Sequence, residues 1–250
     1  MNIVGRLINK HNQRYAVAAK DLLKKNPKWD YHIHTTFTDG KATIEELVNR
    51  AIKIGLTRII FTEHTEPWMA KDSDWFGEYV ELITYYRDKH KGEIEIFIGI
   101  EAPAIDYEKG LQMTEEMERN TEFILGAAHR YPDMGNRKVK DLTTEEAVEF
   151  EFNTLMALSN NDRIDSIAHI GATCAKYCAS FPMELSRKII RNATKNGIAV
   201  EINHTYHRPL TSFLQVCIEE NAYLTLGSNA HRLQDIGKVS KELSEIHPLC

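Results

Sequence analysis

The sequence contains few cysteines, and their spacing does not suggest a disulfide framework or a zinc module. Four cysteines occur in 250 residues, and none forms a C-x-x-C pair. We expect them to be reduced packing residues, as in most cytosolic proteins. Long apolar runs are also missing, since no stretch approaches the roughly 18 residues that a membrane helix needs. The N-terminus has no basic stretch followed by an apolar core and a cleavage site. These absences predict a cytoplasmic protein with no membrane partner.

An excess of basic residues is likewise absent. Lysine and arginine total 31 against 36 aspartates and glutamates, so the formal net charge is -5. Proteins that bind a nucleic-acid backbone usually concentrate positive charge, and this balance therefore disfavours a nucleic-acid partner. The sequence has no repeat, low-complexity tract or Gly/Ser/Pro-rich linker that would divide it. Its 42% hydrophobic and 27% charged residues are typical of a globular chain with a substantial core.

The chain does contain short apolar runs that alternate with longer amphipathic stretches. This order is typical of repeated βα units around a parallel sheet. Seven strands are predicted, at residues 30–34, 58–62, 94–100, 122–128, 164–169, 198–202 and 222–227. Helix starts are predicted at Thr43 with Glu46 and at Thr143 with Glu146, because each pair can form a capping box. Apolar spacing over residues 3–25 predicts a helix, so we divide the chain into an N-terminal helical extension, 1–28, and a barrel domain, 29–250.

The histidines favour a barrel over a doubly wound open sheet, which would give the same order of elements. Six of the eleven histidines lie at or just past the predicted strand ends: His32, His34, His64, His129, His169 and His231. In a parallel β/α barrel all these ends meet on one face, where distant residues become neighbours. The H-x-H segment also places two imidazoles on the same side of one strand, within reach of one ion. We therefore expect a distorted seven-stranded TIM-like α/β barrel with a metal site at that face.

These residues, in this order, resemble the PHP (polymerase and histidinol phosphatase) family. The family pattern has an H-x-H, a nearby acid or histidine, a T-D/E-H, a glutamate, two isolated histidines and a final D-x-H. The matching positions are His32, His34, Asp39, His64, Glu101, His129, His169, Asn229 and His231. The resemblance implies that they hold two or three divalent ions, which could be zinc, iron or manganese. It also implies that Glu101 bridges two ions, and we assign catalytic roles to Glu101 and His231.

One position departs from the family pattern, because Asn229 stands where an aspartate is usual. An amide oxygen is neutral and a weaker ligand than a carboxylate, so one metal position is expected to be held less tightly. Two other carboxylates, Glu63 and Glu201, either orient neighbouring ligand histidines or pair with basic groups. Candidate substrate-binding residues follow the strand ends: Arg130, His204, His207, Arg208 and Arg232. Arginine is suited to this role because its planar guanidinium can donate two hydrogen bonds to one phosphate.

The predicted function is hydrolysis of a phosphoester by metal-activated water. We find no phosphate-binding Gly-rich loop, serine elbow or cysteine nucleophile that would favour another mechanism. The expected partner is a small phosphorylated substrate, with histidinol phosphate suggested by the resemblance. Three alternatives stay open: an amidohydrolase, which usually needs an aspartate where Asn229 stands, a nucleotide phosphodiesterase or nuclease of the same fold, and a metal-binding module without catalysis.

Overall fold

The computed structural model describes residues 12–177 and 180–246. Within them, the strands are β1 Val17–Ala18, β2 Trp29–Ile33, β3 Arg58–His64, β4 Glu95–Pro103, β5 Phe123–Ala127, β6 Ser166–Ile167, β7 Ala199–Asn203 and β8 Tyr223–Gly227. The helices are α1 Asn12–Tyr15, α2 Leu22–Lys25, α3 Ile44–Lys53, α4 Trp75–Lys89, α5 Glu115–Asn120, α6 Thr144–Leu158, α7 Ala172–Tyr177, α8 Met183–Lys195, α9 Leu210–Glu219 and α10 Lys238–Ile246. The fold is therefore α/β, as expected.

The strands belong to one mixed sheet of eight strands, in the order β1-β8-β7-β6-β5-β4-β3-β2. All seven predicted strands are found, at β2 to β8. The additional strand is β1, which pairs antiparallel with β8 through Val17 and Leu224. A two-residue strand is too short to show the alternation by which strands are recognised in a sequence. The finer assignment of a seven-stranded barrel stays a prediction.

Two compact units are distinguished within the chain. The first contains the described residues up to Asp21, together with Pro103–Gln112 and Leu125–Thr225. The second contains Leu22–Ala102, Met113–Ile124 and the described residues from Leu226 onward. In the first unit β6 pairs in parallel with both β5 and β7. In the second unit β3 pairs in parallel with both β2 and β4.

The segment predicted as one helix over residues 3–25 has a different structure in its described part. It contains α1, β1, a 3₁₀ turn and α2 rather than one continuous helix. Its apolar residues are nevertheless used for packing, since Tyr15, Val17 and Leu22 are buried. The remainder of the predicted helix lies outside the described residues. The division into an extension of residues 1–28 and a barrel domain stays a prediction.

Local signals in the helices agree with the structure. Both capping boxes form, at the starts of α3 and α6. Helix α3 buries Ile44, Leu47, Val48 and Ala51, which is the spacing of one helical face. Cys174 and Cys217 are buried thiols, whereas Cys178 and Cys250 lie outside the described residues. None of the described helices is long and apolar enough to cross a membrane.

Candidate metal centre

The H-x-H segment of β2 brings two imidazoles into direct proximity. His32 and His34 are both completely buried, and their Nε2 atoms are 3.1 Å apart. The β2–β3 pairing has an irregularity between Asp30 and Ile33, immediately around the first of these histidines. Burial disfavours the protonated imidazole of His34 and lowers its pKa, so this ring is held in the neutral form that binds metals.

Glu101 is the carboxylate around which the histidines of the second unit are arranged. The parallel register of β3 and β4 places His64 opposite Glu101 at the carboxyl ends of the two strands. Glu101 Oε2 lies 3.1 Å from His64 Nδ1, 3.3 Å from His32 Nε2 and 3.6 Å from His34 Nε2. One buried oxygen thus lies within reach of three imidazoles. This arrangement is suited to holding cations that the three rings share with the carboxylate.

Backbone hydrogen bonds with β2 hold the segment after β8 next to these residues. A parallel bridge connects Ile33 with Ala230. The His34 amide donates to the Ala230 carbonyl at 2.9 Å, and the Ala230 amide donates to the His32 carbonyl at 3.0 Å. Asn229 Oδ1 consequently lies 3.1 Å from His34 Nε2. Asn229 has a positive φ of 51°, a conformation that asparagine and aspartate adopt more readily than most residues.

Asp39 and His231 complete a group of four candidate ligands. His231 Nε2 lies 3.2 Å from Asp39 Oδ2, and the ring of His34 is 4.3 Å from the rings of both His64 and His231. His34, Asp39, His64 and His231 each offer one ligand atom, and these four atoms all lie within 4.8 Å of one another. Ligand atoms that share one ion through bonds of about 2 Å lie at most about 4 Å apart, so small side-chain movements would bring this set around one ion.

The ionisation of His34, His231 and Asp39 depends on their burial and on the other residues of the group. Burial, followed by the proximity of His64 and His231, lowers the pKa of His34 well below its usual value. Burial also acts against protonation of His231, but the hydrogen bond with Asp39, the charge of Asp39 and the Asn229 carbonyl together outweigh it and raise the pKa of His231. Burial opposes ionisation of Asp39, yet His231 lowers the pKa of Asp39 overall. A divalent cation would replace the proton that this histidine and carboxylate share.

Two buried atoms support the fit of a cation to these residues. His34 Nδ1 and Asp39 Oδ1 are buried and have no hydrogen-bond partner among the described residues. Buried nitrogen and oxygen atoms normally have a partner, because an unsatisfied polar atom is unfavourable. Imidazole nitrogens and carboxylate oxygens are ligands that zinc, iron and manganese accept. The residues therefore fit divalent metal ions.

Glu63 supports the turn that leads from His34 to Asp39. It is completely buried and accepts a hydrogen bond from the Thr35 amide at 2.7 Å and another from the Thr38 hydroxyl. Its Oε2 lies 4.0 Å from His34 Nδ1, and burial raises the pKa of Glu63 to about 7. The structure thus places Glu63 behind the candidate ligands, where it orients the turn.

Two other carboxylates in this unit were not predicted from the sequence. Glu66 is buried, and its Oε2 lies 3.7 Å from His64 Nδ1. Asp30 is completely buried on β2. The only signal for Asp30 in the sequence was its position two residues before the H-x-H segment. In a regular strand this spacing places Asp30 on the same face as both histidines.

The first unit holds the other two candidate histidines. The rings of His129 and His169 are stacked with centroids 5.6 Å apart. Glu201 accepts a hydrogen bond from the His169 amide at 2.6 Å, and the Tyr206 ring lies edge-on to His169 at 5.5 Å. Two imidazoles that follow different strands are therefore neighbours, and Glu201 constrains the backbone of one of them.

The candidate substrate-binding residues differ in their surroundings. His207 is buried. The Asn203 amide donates to His207 Nδ1 at 3.1 Å, and His207 Nε2 lies 3.2 Å from the Ile170 carbonyl. These contacts hold the loop after β7 and occupy both ring nitrogens. Arg130 donates to the Gly135 carbonyl at 2.5 Å. His204 is half-buried, and Arg208 and Arg232 are exposed.

The chain is similar to known proteins over most of its length. The PHP domain family matches residues 30–205. A protein of Acetivibrio thermocellus described as a probable phosphatase is 28% identical over 233 residues, covering 88% of each chain. A probable histidinol-phosphatase of Thermotoga maritima is 24% identical and covers 86% of this chain and 88% of its own.

A solved structure has the same fold. The histidinol phosphate phosphatase of Lactococcus lactis, in complex with zinc, L-histidinol and phosphate, superposes with a TM-score of 0.68 at 23% identity. The superposition covers 88% of this chain and 93% of that protein. The family match extends over more than half of the sequence and includes most of the candidate ligands, and the chain therefore belongs to the PHP domain family.

Proposed function

We propose that this chain is a metal-dependent phosphatase that hydrolyses a small phosphomonoester, and that histidinol phosphate is the first substrate to test. Membership of the PHP family and phosphatase relatives over most of the chain support the general activity. The observation that carries the proposal is the group of His34, Asp39, His64 and His231, whose ligand atoms lie within 4.8 Å of one another. Glu101 lies in contact distance of two of these histidines.

The full proposed set of metal ligands is the one that the family pattern indicates: His32, His34, Asp39, His64, Glu101, His129, His169, Asn229 and His231. Divalent ions, when bound, supply an activated water and neutralise charge on the phosphate. Zinc is the first ion to test, because the Lactococcus lactis protein of the same fold is complexed with it. Iron and manganese are the other candidates, and we propose two or three ions per chain.

The residues of this chain have separate roles in the proposed reaction. Glu101 holds the imidazoles of His32, His34 and His64 around one carboxylate. Neutral His34, whose pKa is lowered by burial, offers a lone pair to a metal. Arg130, His204, Arg208 and Arg232 are proposed to bind the phosphate or its leaving group. His207 is proposed to act indirectly, because its two nitrogens hold the loop that carries His204 and Arg208.

A comparison of two chromogenic substrates tests the proposal. Purified protein should hydrolyse p-nitrophenyl phosphate much faster than bis-p-nitrophenyl phosphate, and the activity should depend on added zinc or manganese. Preference for the diester would instead indicate a phosphodiesterase or nuclease. Metal binding without turnover of either ester or of histidinol phosphate would indicate a metal-binding module. The cytoplasmic location and the lack of a nucleic-acid partner stay predictions from composition.

A further inference from the structure

Asp30 makes an unusual number of hydrogen bonds for a side chain that is not a candidate ligand. Its Oδ1 accepts from the Ser228 amide at 3.0 Å and from the His32 amide at 3.4 Å. Its Oδ2 accepts from the Ser228 hydroxyl at 2.5 Å and from the Gly237 amide at 2.7 Å. Both carboxylate oxygens are thus satisfied by donors of the second unit, although the side chain is completely buried.

These contacts lie at the two ends of the loop that carries Asn229 and His231. Ser228 immediately precedes Asn229, and Gly237 immediately precedes α10. Gly237 has a φ of 77°, and a Cβ on it would lie 2.7 Å from Ile54 Cδ1. The close packing and positive φ at Gly237 therefore favour glycine, whose amide points at Asp30. One carboxylate on β2 consequently anchors both the start and the end of the loop.

A buried carboxylate is an unfavourable choice for a purely structural role. Removing its charge from water is costly, and hydrogen bonds from neutral groups compensate only in part. The same strand carries His32 and His34, so the anchor connects the H-x-H segment directly with the segment of Asn229 and His231. Asn229 Oδ1 lies 3.1 Å from His34 Nε2, a contact that requires the two segments to keep their relative position.

We propose that Asp30 is a positioning residue that sets metal affinity by fixing the loop of residues 228–237 against β2. Asn229 and His231 are then presented to His34 before any ion binds. Residues that orient metal ligands commonly change metal affinity by about 10- to 100-fold when they are replaced. The effect of Asp30 on turnover rests on the proposed function, whereas its effect on metal affinity does not.

Asp30→Asn tests the proposal, because the amide keeps the shape but cannot accept hydrogen bonds on both sides. Zinc affinity would be measured by competition with a chromophoric chelator, at a temperature where the variant is folded by circular dichroism. We expect affinity to fall by about 10- to 100-fold, and kcat for p-nitrophenyl phosphate to fall more than KM rises. Zinc affinity within twofold of wild type would overturn the proposal.

Ser166→Ala is the matched control, since it removes a buried hydrogen bond of 2.8 Å to Thr225 in the first unit. It should lower the melting temperature without changing zinc affinity. A loss of affinity in both variants in proportion to their melting temperatures would show a merely structural role for Asp30 and overturn the proposal.

Ser228→Ala keeps the proposal testable if Asp30→Asn does not fold. It removes one donor to Asp30 and leaves the backbone amide in place, so we expect a smaller, several-fold loss of zinc affinity. Unchanged affinity in Ser228→Ala would contradict the anchor. If wild type binds zinc but hydrolyses no phosphomonoester, the proposed function fails while the role of Asp30 in metal affinity is still measured.

Discussion

At the scale of single residues, two side chains of the candidate site each lie close to several others. Glu101 Oε2 is the central example, with imidazole nitrogens of His32, His34 and His64 between 3.1 and 3.6 Å away. His34 is the corresponding central imidazole, next to His32, His64 and His231. Replacing either residue should therefore affect several contacts at once.

Glu101→Gln should abolish phosphatase activity and leave the fold intact. The amide has nearly the same shape but lacks the charge needed to hold cations among three imidazoles. Activity on p-nitrophenyl phosphate, zinc content and melting temperature would be measured together, because metal loss also lowers apparent stability. Glu95→Gln, on the exposed part of the same strand, is the matched control and should stay active. Full activity in Glu101→Gln would contradict its proposed role.

Asn229→Asp should tighten the weakest metal position. The added negative charge would lie beside His34, and Asp tolerates the positive φ of this position almost as well as Asn. Activity need not increase, because the natural amide can keep an ion exchangeable. Metal content after identical dialysis, and sensitivity to a chelator, would be compared in the two proteins. Equal metal content and equal chelator sensitivity would show that Asn229 does not weaken a metal position.

At the scale of elements, the strands bring the candidate ligands to the same region, and the turns and loops that follow the strands fix their positions. The turn from His34 to Asp39 is held by Glu63, and the loop after β7 is held by His207. His207 also stacks on Phe213 of α9, with ring centroids 3.5 Å apart. Such loops depend on a few buried polar groups, and their stability should respond to single substitutions and to pH.

Gly40→Ala should disturb the turn that carries Asp39. A Cβ at this position would lie 2.5 Å from the backbone carbon and oxygen of His34 and 2.6 Å from the Thr35 nitrogen. Backbone atoms cannot move aside as a flexible side chain could, so we expect about 1–3 kcal/mol of destabilisation and weaker zinc binding. Urea unfolding and zinc titration would measure both effects.

The control for this substitution is Gly77→Ala in α4, where an added Cβ meets nothing within 4 Å. An alanine inside a helix should stabilise the protein by about 0.5–1 kcal/mol. If Gly40→Ala were as stable as wild type and bound zinc equally well, the close approach of Gly40 to His34 would have no role in forming the site.

His207→Gln should reduce the loss of stability on acidification. Burial lowers the pKa of His207 from 6.5 to about 4, so the unfolded chain binds a proton that the folded protein does not. The contribution of neutral His207 is complete above pH 6.5 and is lost as the pH falls toward 4, by at most about 1.4 kcal/mol per pH unit. The free energy of unfolding would be measured at several pH values.

Wild type and His207→Gln should therefore differ most above pH 6.5 and converge toward pH 4. Glutamine can still accept and donate one hydrogen bond each, which makes it the closest uncharged replacement. A constant difference between the two proteins across this pH range would contradict the assignment of His207 as a buried neutral residue.

At the scale of the whole molecule, metal binding and folding should be linked. Several buried candidate ligands are brought together only in the folded chain, so ions that bind the folded state would stabilise it. Treatment with a chelator should lower the melting temperature, and added zinc should restore it in a concentration-dependent manner. Free zinc at about 1,000 times the dissociation constant would contribute about 4 kcal/mol.

His231→Ala should retain less of this zinc-dependent stabilisation than wild type, because it removes one of the four closely grouped candidate ligands. His129→Ala and His169→Ala test the proposed ligands of the first unit in the same way. A melting temperature that neither chelator nor zinc changes would refute the link between metal and folding. Normal zinc content in His129→Ala and His169→Ala would exclude these two residues from the ligand set.

The sequence by itself determined seven of the described strands and the metal chemistry expected of the site, but not the segment before Trp29. Seven strands and both capping boxes follow from local patterns, because hydrophobic periodicity and helix capping depend on residues only a few positions apart. The H-x-H spacing and the histidines after strand ends indicate metal chemistry without any distance. The one departure from the family pattern, Asn229, was also visible in the sequence alone.

Only the tertiary structure decided which residues touch. Asp30 reaches Ser228 and Gly237 across most of the chain, and no local pattern specifies such a contact. His207 looked like a possible substrate ligand by position, yet its nitrogens are occupied by backbone groups. The bridge between Ile33 and Ala230 holds the segment after β8 against β2, next to Asp30. Register depends on pairing between distant segments, so it is a property of the packed sheet rather than of any one stretch of sequence.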